Sequence, residues 1–301
     1  MVGKLKDSLA RIKELEVKYD HQMKDYTSFK IGGKADIFTI PQTISALKNL
    51  VKTLKDYQLP FFILGRGSNI IVGDKGYRGI IIYTGELKKV IVNDKILKAE
   101  TGISLASLAN KALEAGLTGL EFASGIPGSL GGALYMNAGA YDGEMQDIIK
   151  EASLLDYSAR KLVLSKEELG LAYRNSILQE RPLIAVEVSL ELKRGKMEEI
   201  RKKMKDLNQR RKEKQPLEWP SAGSIFKRPA GYYAGPLIEK AGLKGFRVGD
   251  AQISEKHAGF IINLGNATAA DVCELIKTVQ ETVYKKNGVK LEVEPRFIGE
   301  F

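Results

Sequence analysis

A glycine-rich segment from Gly119 to Tyr141 constrains this chain more than any other stretch. It has the sequence GLEFASGIPGSLGGALYMNAGAY, in which six glycines are interspersed with apolar residues. Glycine lets a backbone approach a ligand closely and adopt positive φ, whereas Pro127 fixes φ beside those permissive positions. Successive backbone N–H groups in such loops bind phosphate oxygens. The pattern favours a diphosphate-binding loop over the alternative, a buried crossing of helix and strand backbones.

The composition of the 301 residues is that of a globular protein, with 44% hydrophobic and 28% charged residues. This length predicts two or three domains. Cys273 is the single cysteine, which excludes an internal disulfide and indicates a reducing, cytoplasmic setting. Residues 1–20 lack a continuous apolar region, and no apolar run is long enough to span a bilayer. We therefore expect neither a signal peptide nor a membrane partner.

A net charge of +10 is compatible with nucleic acid, an anionic membrane surface or small polyanionic substrates as partners. Part of the excess lies in residues 193–214, where Met197, Ile200, Met204 and Leu207 recur at helical spacing. This spacing predicts one amphipathic helix with a solvated basic face. Because no aromatic residues alternate with the basic ones, a charged surface helix is favoured over a nucleic-acid site.

The rest of the chain alternates short strands and helices, and it contains no internal repeat. Ser104 and Thr268 are expected to cap helices that Gly116 and Gly288 end. The predicted helices cover residues 5–15, 44–57, 104–116, 167–169, 193–214, 233–241 and 268–288. The predicted strands cover a stretch within residues 27–41 that is entered through Gly32-Gly33, and residues 61–64, 70–72, 79–83, 88–92, 96–101, 151–157, 161–164, 183–192, 257–263 and 291–299.

A second glycine motif, Gly65-Arg66-Gly67-Ser68-Asn69, follows the predicted strand 61–64. It begins like a Rossmann dinucleotide fingerprint but lacks the third glycine and continues into β-branched residues, so we reject a Rossmann site. Two interpretations remain equally open. The motif is either a phosphate loop between two strands or the turn of a tight hairpin.

The residue types that carry chemistry are few. The two histidines, His21 and His257, lie far from each other and from the cysteine, so no metal-ligand spacing is present. There is no Walker loop and no serine-protease-like arrangement. The remaining candidates are Ser224 in a Gly-Ser turn beside Lys227 and Arg228, Arg174 in a polar insert, and Glu294 on the last predicted strand. Taken singly, each is better explained as a turn residue, a surface ion pair or a solvated strand position.

The last predicted strand places Glu292, Glu294 and Arg296 at alternate positions. Because side chains of a strand alternate between its faces, these three are expected to share one face.

The motifs, in their order along the chain, resemble the UDP-N-acetylenolpyruvoylglucosamine reductase (MurB) family, flavoenzymes of peptidoglycan synthesis. The resemblance extends from about Tyr26 to the C-terminus, and the first two blocks alone would indicate only a flavin domain of the vanillyl-alcohol-oxidase type. The matching blocks are Thr27–Ala35, Gly65–Asn69, Ser124–Gly128, Asn137–Tyr141, Tyr173–Ser176, Ala222–Lys227, Ser254–Ala258 and Leu291–Gly299.

The resemblance implies an α+β fold: a two-part FAD-binding module of the vanillyl-alcohol-oxidase/PCMH type plus a C-terminal α+β substrate domain. The implied boundaries are 1–86 and 87–205 for the two FAD-binding parts and 206–301 for the substrate domain. The chain is similar to the shorter type of the family, which lacks an inserted lid loop, so we assign no lid tyrosine. Since neither phosphate-binding stretch contains His or Cys, the FAD is expected to be non-covalent.

The resemblance also implies the residues that bind the cofactor. They are Gly65, Arg66, Gly67, Ser68, Asn69, Ile70, Gly102, Ser124, Gly125, Ile126, Pro127, Gly128, Gly131, Gly132, Asn137 and Gly139. The implied substrate-binding residues are Tyr173, Lys227, Gln252, His257 and Asn263.

The reaction implied by the resemblance has two halves. NADPH, the co-substrate, reduces the flavin; the enolpyruvyl ether of UDP-N-acetylglucosamine then takes hydride at C3 and a proton at C2, which gives UDP-N-acetylmuramate. Arg174 and Glu294 would bind and polarise the carboxyl group; Glu294 could do so only if protonated or bridged, so an elevated pKa of Glu294 is predicted. Ser224 would donate the proton. Lys227 either assists Ser224 or holds the diphosphate, and we favour substrate binding.

Both substrates are polyanions, which gives the net positive charge a use. Nucleic acid, membrane and metal are not expected, and we expect a monomer.

Two positions depart from the family pattern: Arg228 stands where members often have Asn, and Pro295 stands where they often have Val. Two other functions stay open, an FAD-dependent alcohol or hydroxy-acid oxidase and a nucleic-acid-binding module built on residues 193–214.

Overall fold

The computed structural model describes residues 2–301 and divides them into two units, each with its own hydrophobic core. The first unit comprises the residues up to Tyr19 together with Ile37–Arg66 and Gly79–Arg210. The second comprises Asp20–Asp36, Gly67–Arg78 and Arg211–Phe301. The division into three domains at residues 86 and 205 stays a prediction.

The structure contains helices and strands along its whole length. The helices are α1 Val2–Ala10, α2 Ile44–Asp56, α3 Leu105–Glu114, α4 Leu130–Tyr135, α5 Met197–Lys214, α6 Ala234–Lys240 and α7 Ala269–Asn287. The strands are β1 Leu15–Gln22, β2 Lys34–Pro41, β3 Phe61–Leu64, β4 Ile70–Val72, β5 Tyr77–Tyr83, β6 Val90–Asn93, β7 Ile96–Glu100, β8 Leu117–Thr118, β9 Gly139–Ala140, β10 Gly143–Glu144, β11 Ile149–Asp156, β12 Lys161–Ser165, β13 Leu183–Glu191, β14 Lys193–Arg194, β15 Ser221–Ser224, β16 Arg247–Val248, β17 Ala251–Ile253, β18 Phe260–Asn263 and β19 Arg296–Ile298.

A five-stranded antiparallel sheet in the order β12-β11-β13-β7-β6 is the centre of the first unit. Two hairpins of this sheet join predicted strands: β6 pairs antiparallel with β7 around Asn93-Asp94, and β11 pairs antiparallel with β12. Helices α3 and α4 contribute Leu105, Leu108 and Leu130 to its core. Burial of this apolar surface holds the glycine-rich segment, which includes α4, against the sheet.

A second sheet, in the order β1-β2-β5-β3, belongs mainly to the first unit. Its strands β3 and β5 pair in parallel, with Phe61 opposite Ile80. Helix α2 begins at the cap Thr43 and buries Leu47, Leu50 and Leu54 in the core beneath this sheet.

The second unit contains an antiparallel sheet in the order β15-β18-β17-β16, which shares one apolar core with α6 and α7. The predicted limits of α7 are confirmed. Thr268 accepts a hydrogen bond from Asp271 N–H, the Asp271 carboxylate accepts one from Thr268 N–H, and Gly288 ends the helix with φ of 67°. Such a reciprocal capping box satisfies two N–H groups that a helix terminus otherwise leaves unpaired.

Three predicted helices are wrong, two of them in part and one entirely. The helix predicted over 5–15 ends at Ala10, because Glu14 has φ of 58°, in the left-handed region, and Leu15 begins β1. Residues 167–169 form a turn, in which the Glu168 carboxylate accepts from Ser165 N–H. At the start of the predicted helix 193–214, residues 193–194 form the strand β14 instead, and the helix begins at Met197.

The predicted strand 291–299 is also wrong in its extent, since only β19 is a strand. Pro295 has no N–H to donate to a ladder. Before it, Glu294 N–H bonds to Ile225 O at 2.9 Å; after it, β19 pairs in parallel with β4. Because the pairing partner changes at Pro295, the expected shared face of Glu292, Glu294 and Arg296 does not form on one continuous strand.

Among residues 2–301, no helix combines the length and the apolar sequence needed to cross a bilayer.

Candidate active site

The loop from Gly65 to Asn69 connects two different sheets. The strand before it, β3, pairs with β5, whereas the strand after it, β4, pairs with β19. The hairpin interpretation is therefore excluded, and a loop between two strands remains. Gly67 has φ of 62°, and a Cβ there would collide with the Tyr26 carbonyl oxygen, so only glycine fits this bend.

This loop exposes main-chain donors. Within the part of the chain that the structure describes, the N–H groups of residues 66–69 donate no hydrogen bond. The Arg66 side chain is exposed and has no ion-pair partner among the same residues. Consecutive N–H groups beside a guanidinium suit the oxygens of a phosphate.

The glycine-rich segment lies directly against the start of this loop, within the first unit. A Cβ on Gly65 would collide with the Ser129 hydroxyl oxygen. In residues 2–301 the N–H groups of Gly128 and Ser129 also donate no hydrogen bond. The main chain of Gly128 is fixed, since its carbonyl accepts from Leu105 N–H at 3.1 Å. Close approach at Gly65, with unused donors at Arg66, Gly128 and Ser129 of the same unit, fits the diphosphate of a dinucleotide cofactor.

Three predicted cofactor-binding residues are used within the protein. The Ser124 side chain is buried, with its hydroxyl oxygen 2.8 Å from Glu121 O and 3.3 Å from Asn208 Oδ1. A Cβ on Gly102 would collide with the carbonyl oxygen of Thr84, and one on Gly139 would lie 2.8 Å from Glu144 Cβ. These contacts favour a structural role for all three.

The predicted cofactor-binding residue Asn137 is fully buried. Its amide nitrogen donates to Glu144 Oε2 at 3.1 Å and to Ala172 O at 3.2 Å, and its amide oxygen accepts from Gln146 N–H at 2.9 Å. Both amide hydrogens are therefore used within the first unit, toward Glu144 and the insert that carries Arg174.

Arg174 lies on a two-residue turn. Ala172 and Asn175 exchange both main-chain hydrogen bonds, at 3.2 and 3.0 Å, so Tyr173 and Arg174 form the tip. Arg174 has φ of 54°, a conformation that costs a side-chain-bearing residue roughly 1–2 kcal/mol relative to glycine. Its guanidinium lies 5.0 Å from the centroid of the Tyr173 ring.

Ser224 follows a β-bulge in the second unit. Ser221 pairs with Ile262 and Ser224 with Phe260, so β15 has one residue more than β18 between the two pairs. Gly223 supplies φ of 78° at this bulge. Bulges of this kind redirect the following side chain, and they are over-represented next to active sites. The Ser224 hydroxyl is half-buried and lies 3.3 Å from Phe226 O.

We predict that Gly223→Ala lowers the free energy of unfolding by about 1 kcal/mol through the backbone alone. An added Cβ there would meet nothing within 4 Å, so no packing clash contributes. Chemical denaturation measures the change. The matched control is Gly3→Ala in α1, where a Cβ also meets nothing and φ is not positive; this variant should not be destabilised. Unchanged stability of Gly223→Ala would contradict the assigned strain.

The segment from Ser224 to Lys227 pairs with the chain around Glu294. Lys227 N–H donates to Glu292 O at 2.8 Å, and Phe226 forms a bridge with Val293. Ser224, Lys227 and Glu294 are thus brought into one neighbourhood. The Lys227 ammonium forms an ion pair with the Glu292 carboxylate.

A cavity of about 400 Å³ lies beside Lys227. Its lining residues are Lys227, Arg228, Pro229, Ala230, Tyr232, Val289, Lys290 and Glu292. Three cations face one carboxylate here, which suits an anionic ligand.

His257 and Ser224 both lie close to Gly259. A Cβ on Gly259 would be 2.9 Å from His257 Cε1 and 3.7 Å from the Ser224 hydroxyl oxygen. His257 Nδ1 accepts a hydrogen bond from Gly259 N–H at 3.0 Å, which places the proton of the neutral ring on Nε2. Burial lowers the pKa of His257 below its ordinary value of 6.5.

The lowered pKa predicts a pH dependence of stability. The unfolded chain takes up a proton at His257 more readily than the folded protein, so the contribution of this residue is present above pH 6.5 and lost as pH falls. Between about pH 7 and about pH 5, the free energy of unfolding should therefore fall less in His257→Gln than in the wild type. Urea unfolding at both pH values checks this, and an equal or larger fall in the variant would contradict it.

The other two predicted substrate-binding residues of this unit lie elsewhere. Gln252 donates through its amide to Gly245 O at 3.0 Å. Asn263 is buried; its amide donates to Phe29 O and accepts from the N–H groups of Gly265 and Ala267. The contacts of Asn263 favour a structural role. Of the predicted catalytic residues, Arg174 belongs to the first unit, and Ser224 and Glu294 to the second.

Comparison with known families gives the class of protein. A family model described as an FAD binding domain matches residues 35–164, and one described as the C-terminal domain of UDP-N-acetylenolpyruvoylglucosamine reductase matches residues 215–298. The chain is thus an FAD-dependent oxidoreductase.

Individual relatives give the family. The chain is 52% identical over 300 residues to the UDP-N-acetylenolpyruvoylglucosamine reductase of Caldanaerobacter subterraneus subsp. tengcongensis. The alignment covers 100% of this chain and 98% of the relative. It is 50% identical over 285 residues to the reductase of the same name from Clostridium novyi, with 95% and 93% covered. The chain belongs to the UDP-N-acetylenolpyruvoylglucosamine reductase family, as the motifs indicated.

Solved structures agree with the α+β fold. The crystal structure of the Thermus caldophilus reductase of this family matches with a TM-score of 0.81 at 38% identity, over 94% of this chain and 98% of that one. Glucooligosaccharide oxidase from Acremonium strictum matches with a TM-score of 0.51 at 12% identity, over 97% of this chain and 60% of that one, which shows a shared fold alone. The predicted fold class is confirmed.

Proposed function

We propose that this protein catalyses the NADPH-dependent reduction of the enolpyruvyl ether of UDP-N-acetylglucosamine to UDP-N-acetylmuramate, a step of peptidoglycan synthesis, with non-covalently bound FAD. The observation that carries the proposal is identity of 52% over 300 residues to a reductase of this name. FAD, when bound, takes hydride from NADPH and passes it to the alkene of the substrate.

The main chain of two stretches would hold the cofactor. We assign the diphosphate to the unused N–H groups of Arg66, Gly128 and Ser129 in the first unit, together with the Arg66 guanidinium. The predicted cofactor-binding residues that we keep are Gly65, Arg66, Gly67, Ser68, Asn69, Ile70, Gly125, Ile126, Pro127, Gly128, Gly131 and Gly132. For Gly102, Ser124, Asn137 and Gly139 the contacts described above support a structural role instead.

Three residues would carry the second half of the reaction. Hydride addition at C3 leaves an electron pair at C2 that is delocalised into the neighbouring carboxylate. We assign to the Arg174 guanidinium and a protonated Glu294 the stabilisation of that charge. The Ser224 hydroxyl would give its proton to C2, which completes the saturated lactyl ether.

Lys227 is proposed to bind the substrate rather than to assist Ser224. Its ammonium already forms an ion pair with Glu292, and it lines the cavity that also holds Arg228 and Lys290. A diphosphate there would face three cations. Tyr173, Gln252 and His257 remain proposed substrate-binding residues.

Anaerobic titration tests the function. Purified protein should be yellow and release FAD on heating; NADPH should bleach the flavin, and the enolpyruvyl sugar nucleotide should restore its colour. Rapid reoxidation by oxygen, with no response to this substrate, would support the oxidase alternative. A colourless preparation with strongly salt-dependent nucleic-acid binding would support the other alternative, a nucleic-acid-binding module built on residues 193–214.

A monomeric state and a cytoplasmic setting are parts of the same proposal. Cys273, the single cysteine, supports the reducing setting alone. Light scattering coupled to size exclusion measures the state directly.

A further inference from the structure

The turn that carries Arg174 is attached at two points to the end of the glycine-rich segment. At its first residue, Ala172 O accepts from the buried amide of Asn137 at 3.2 Å. At its tip, Arg174 O accepts from the Gln179 amide at 2.9 Å, and the same amide nitrogen lies 2.9 Å from Tyr135 O. The turn is therefore held both before and at the arginine.

Gln179 is placed for this contact by its own short element. Residues 177–179 form one turn of 3₁₀ helix directly after the Arg174 turn. Ser176, which precedes it, donates its hydroxyl to Tyr135 O at 2.9 Å. Two side chains thus converge on the carbonyl of Tyr135, the last residue of α4, and anchor the insert there.

Asn137 is also fixed by contacts with the segment that follows it. It is fully buried, and its second amide hydrogen and its amide oxygen bind Glu144 and Gln146 on the hairpin that follows. An amide with three partners cannot rotate without breaking several hydrogen bonds. Its contact with Ala172 is therefore a fixed point.

We infer that Asn137 and Gln179 are positioning residues, which fix the Arg174 turn on the glycine-rich segment and thereby aim the guanidinium at the substrate carboxyl. The inference rests on the proposed function of Arg174 and reassigns Asn137 from the cofactor to the arginine. Misplacement of a reacting group by about 1 Å costs about 100-fold in rate, so loss of one of two attachments should cost about 10- to 100-fold.

The test is Gln179→Glu, studied as the FAD-loaded protein. The substitution keeps the size of the side chain but turns a donor into a carboxylate facing two carbonyl oxygens. The side chain is exposed, so folding should survive. Stopped-flow absorbance should show an unchanged rate of flavin reduction by NADPH and about 10-fold or more slower reoxidation by the enolpyruvyl substrate. Asn137→Asp should show the same split.

The control is Gln58→Glu, which adds the same charge at an exposed glutamine after α2 and should leave both half-reactions unchanged. Coupling gives the sharpest readout. In an Arg174→Ala background, Gln179→Glu should slow reoxidation no further, because it acts through the arginine.

Three results would overturn the inference. They are equal slowing of both half-reactions, loss of FAD, and a further decrease in the rate of reoxidation when Gln179→Glu is added to Arg174→Ala. A wild-type rate of reoxidation in Arg174→Ala would instead contradict the proposed function of Arg174, so the two failures are distinguishable.

Discussion

Ser224→Ala is expected to slow reoxidation of the reduced flavin by the enolpyruvyl substrate about 100-fold or more, and to leave reduction by NADPH at the wild-type rate. The hydroxyl is the proposed source of the proton at C2, and no proton reaches the substrate in the first half-reaction. The bulge at Gly223 sets the direction of this side chain, so its loss removes a placed proton donor rather than a packing contact.

Anaerobic stopped-flow measurement of the two half-reactions checks this result. Ser221→Ala is the matched control, since Ser221 lies at the other end of the same short strand, before the bulge. That variant should retain both rates. If Ser224→Ala slowed both half-reactions equally, Ser224 would not be the proton donor.

Gly128→Val should bind FAD about 10- to 100-fold more weakly than the wild type, because side-chain bulk would intrude on the proposed position of the diphosphate beside unused N–H groups. The main chain of Gly128 cannot retreat without breaking the hydrogen bond from Leu105 N–H. The flavin that does bind should still be reduced by NADPH and reoxidised by substrate.

Fluorescence titration of the apoprotein with FAD measures this affinity. Gly128→Ala adds one methyl group in place of three carbons and should lie between the wild type and Gly128→Val. Normal flavin content in Gly128→Val would refute the proposed position of the diphosphate.

Elements with local signals at both ends were predictable from the sequence. Helix α7 is the best case, since Thr268 and Gly288 mark its limits and both act there as expected. Helix α3 is a second case: the Ser104 side chain accepts a hydrogen bond from Ser107 N–H, and Gly116, with φ of 63°, follows its end. Such signals need only neighbouring residues, so no knowledge of the tertiary structure is required.

Pairing between distant segments was not predictable. Alternation suggested one strand over residues 291–299, but Pro295 divides it between Ile225 and the strand β4. The Gly65 motif was compatible with a hairpin because nothing local reveals that β3 pairs with β5 and β4 with β19. The choice of strand partner is a tertiary property.

The residues of the candidate site also differ in whether a local sequence pattern could indicate them. The glycines and Ser224 were proposed from motif and resemblance, because bare main chain and a Gly-Ser turn leave a local pattern. The side-chain network around Asn137 was not, since an asparagine that binds a ligand and one that binds Ala172 O have the same sequence signal. Gln179 carried no signal, because its two acceptors are carbonyl groups that any residue provides.

Hydrogen exchange of the apoprotein, with and without FAD, tests the central claim most directly. The N–H groups of residues 66–69, 128 and 129 have no acceptor within residues 2–301 and should exchange rapidly in the apoprotein. We predict that FAD slows exchange in peptides covering both stretches. Protection confined to other segments, with these two unchanged at saturating FAD, would contradict the account.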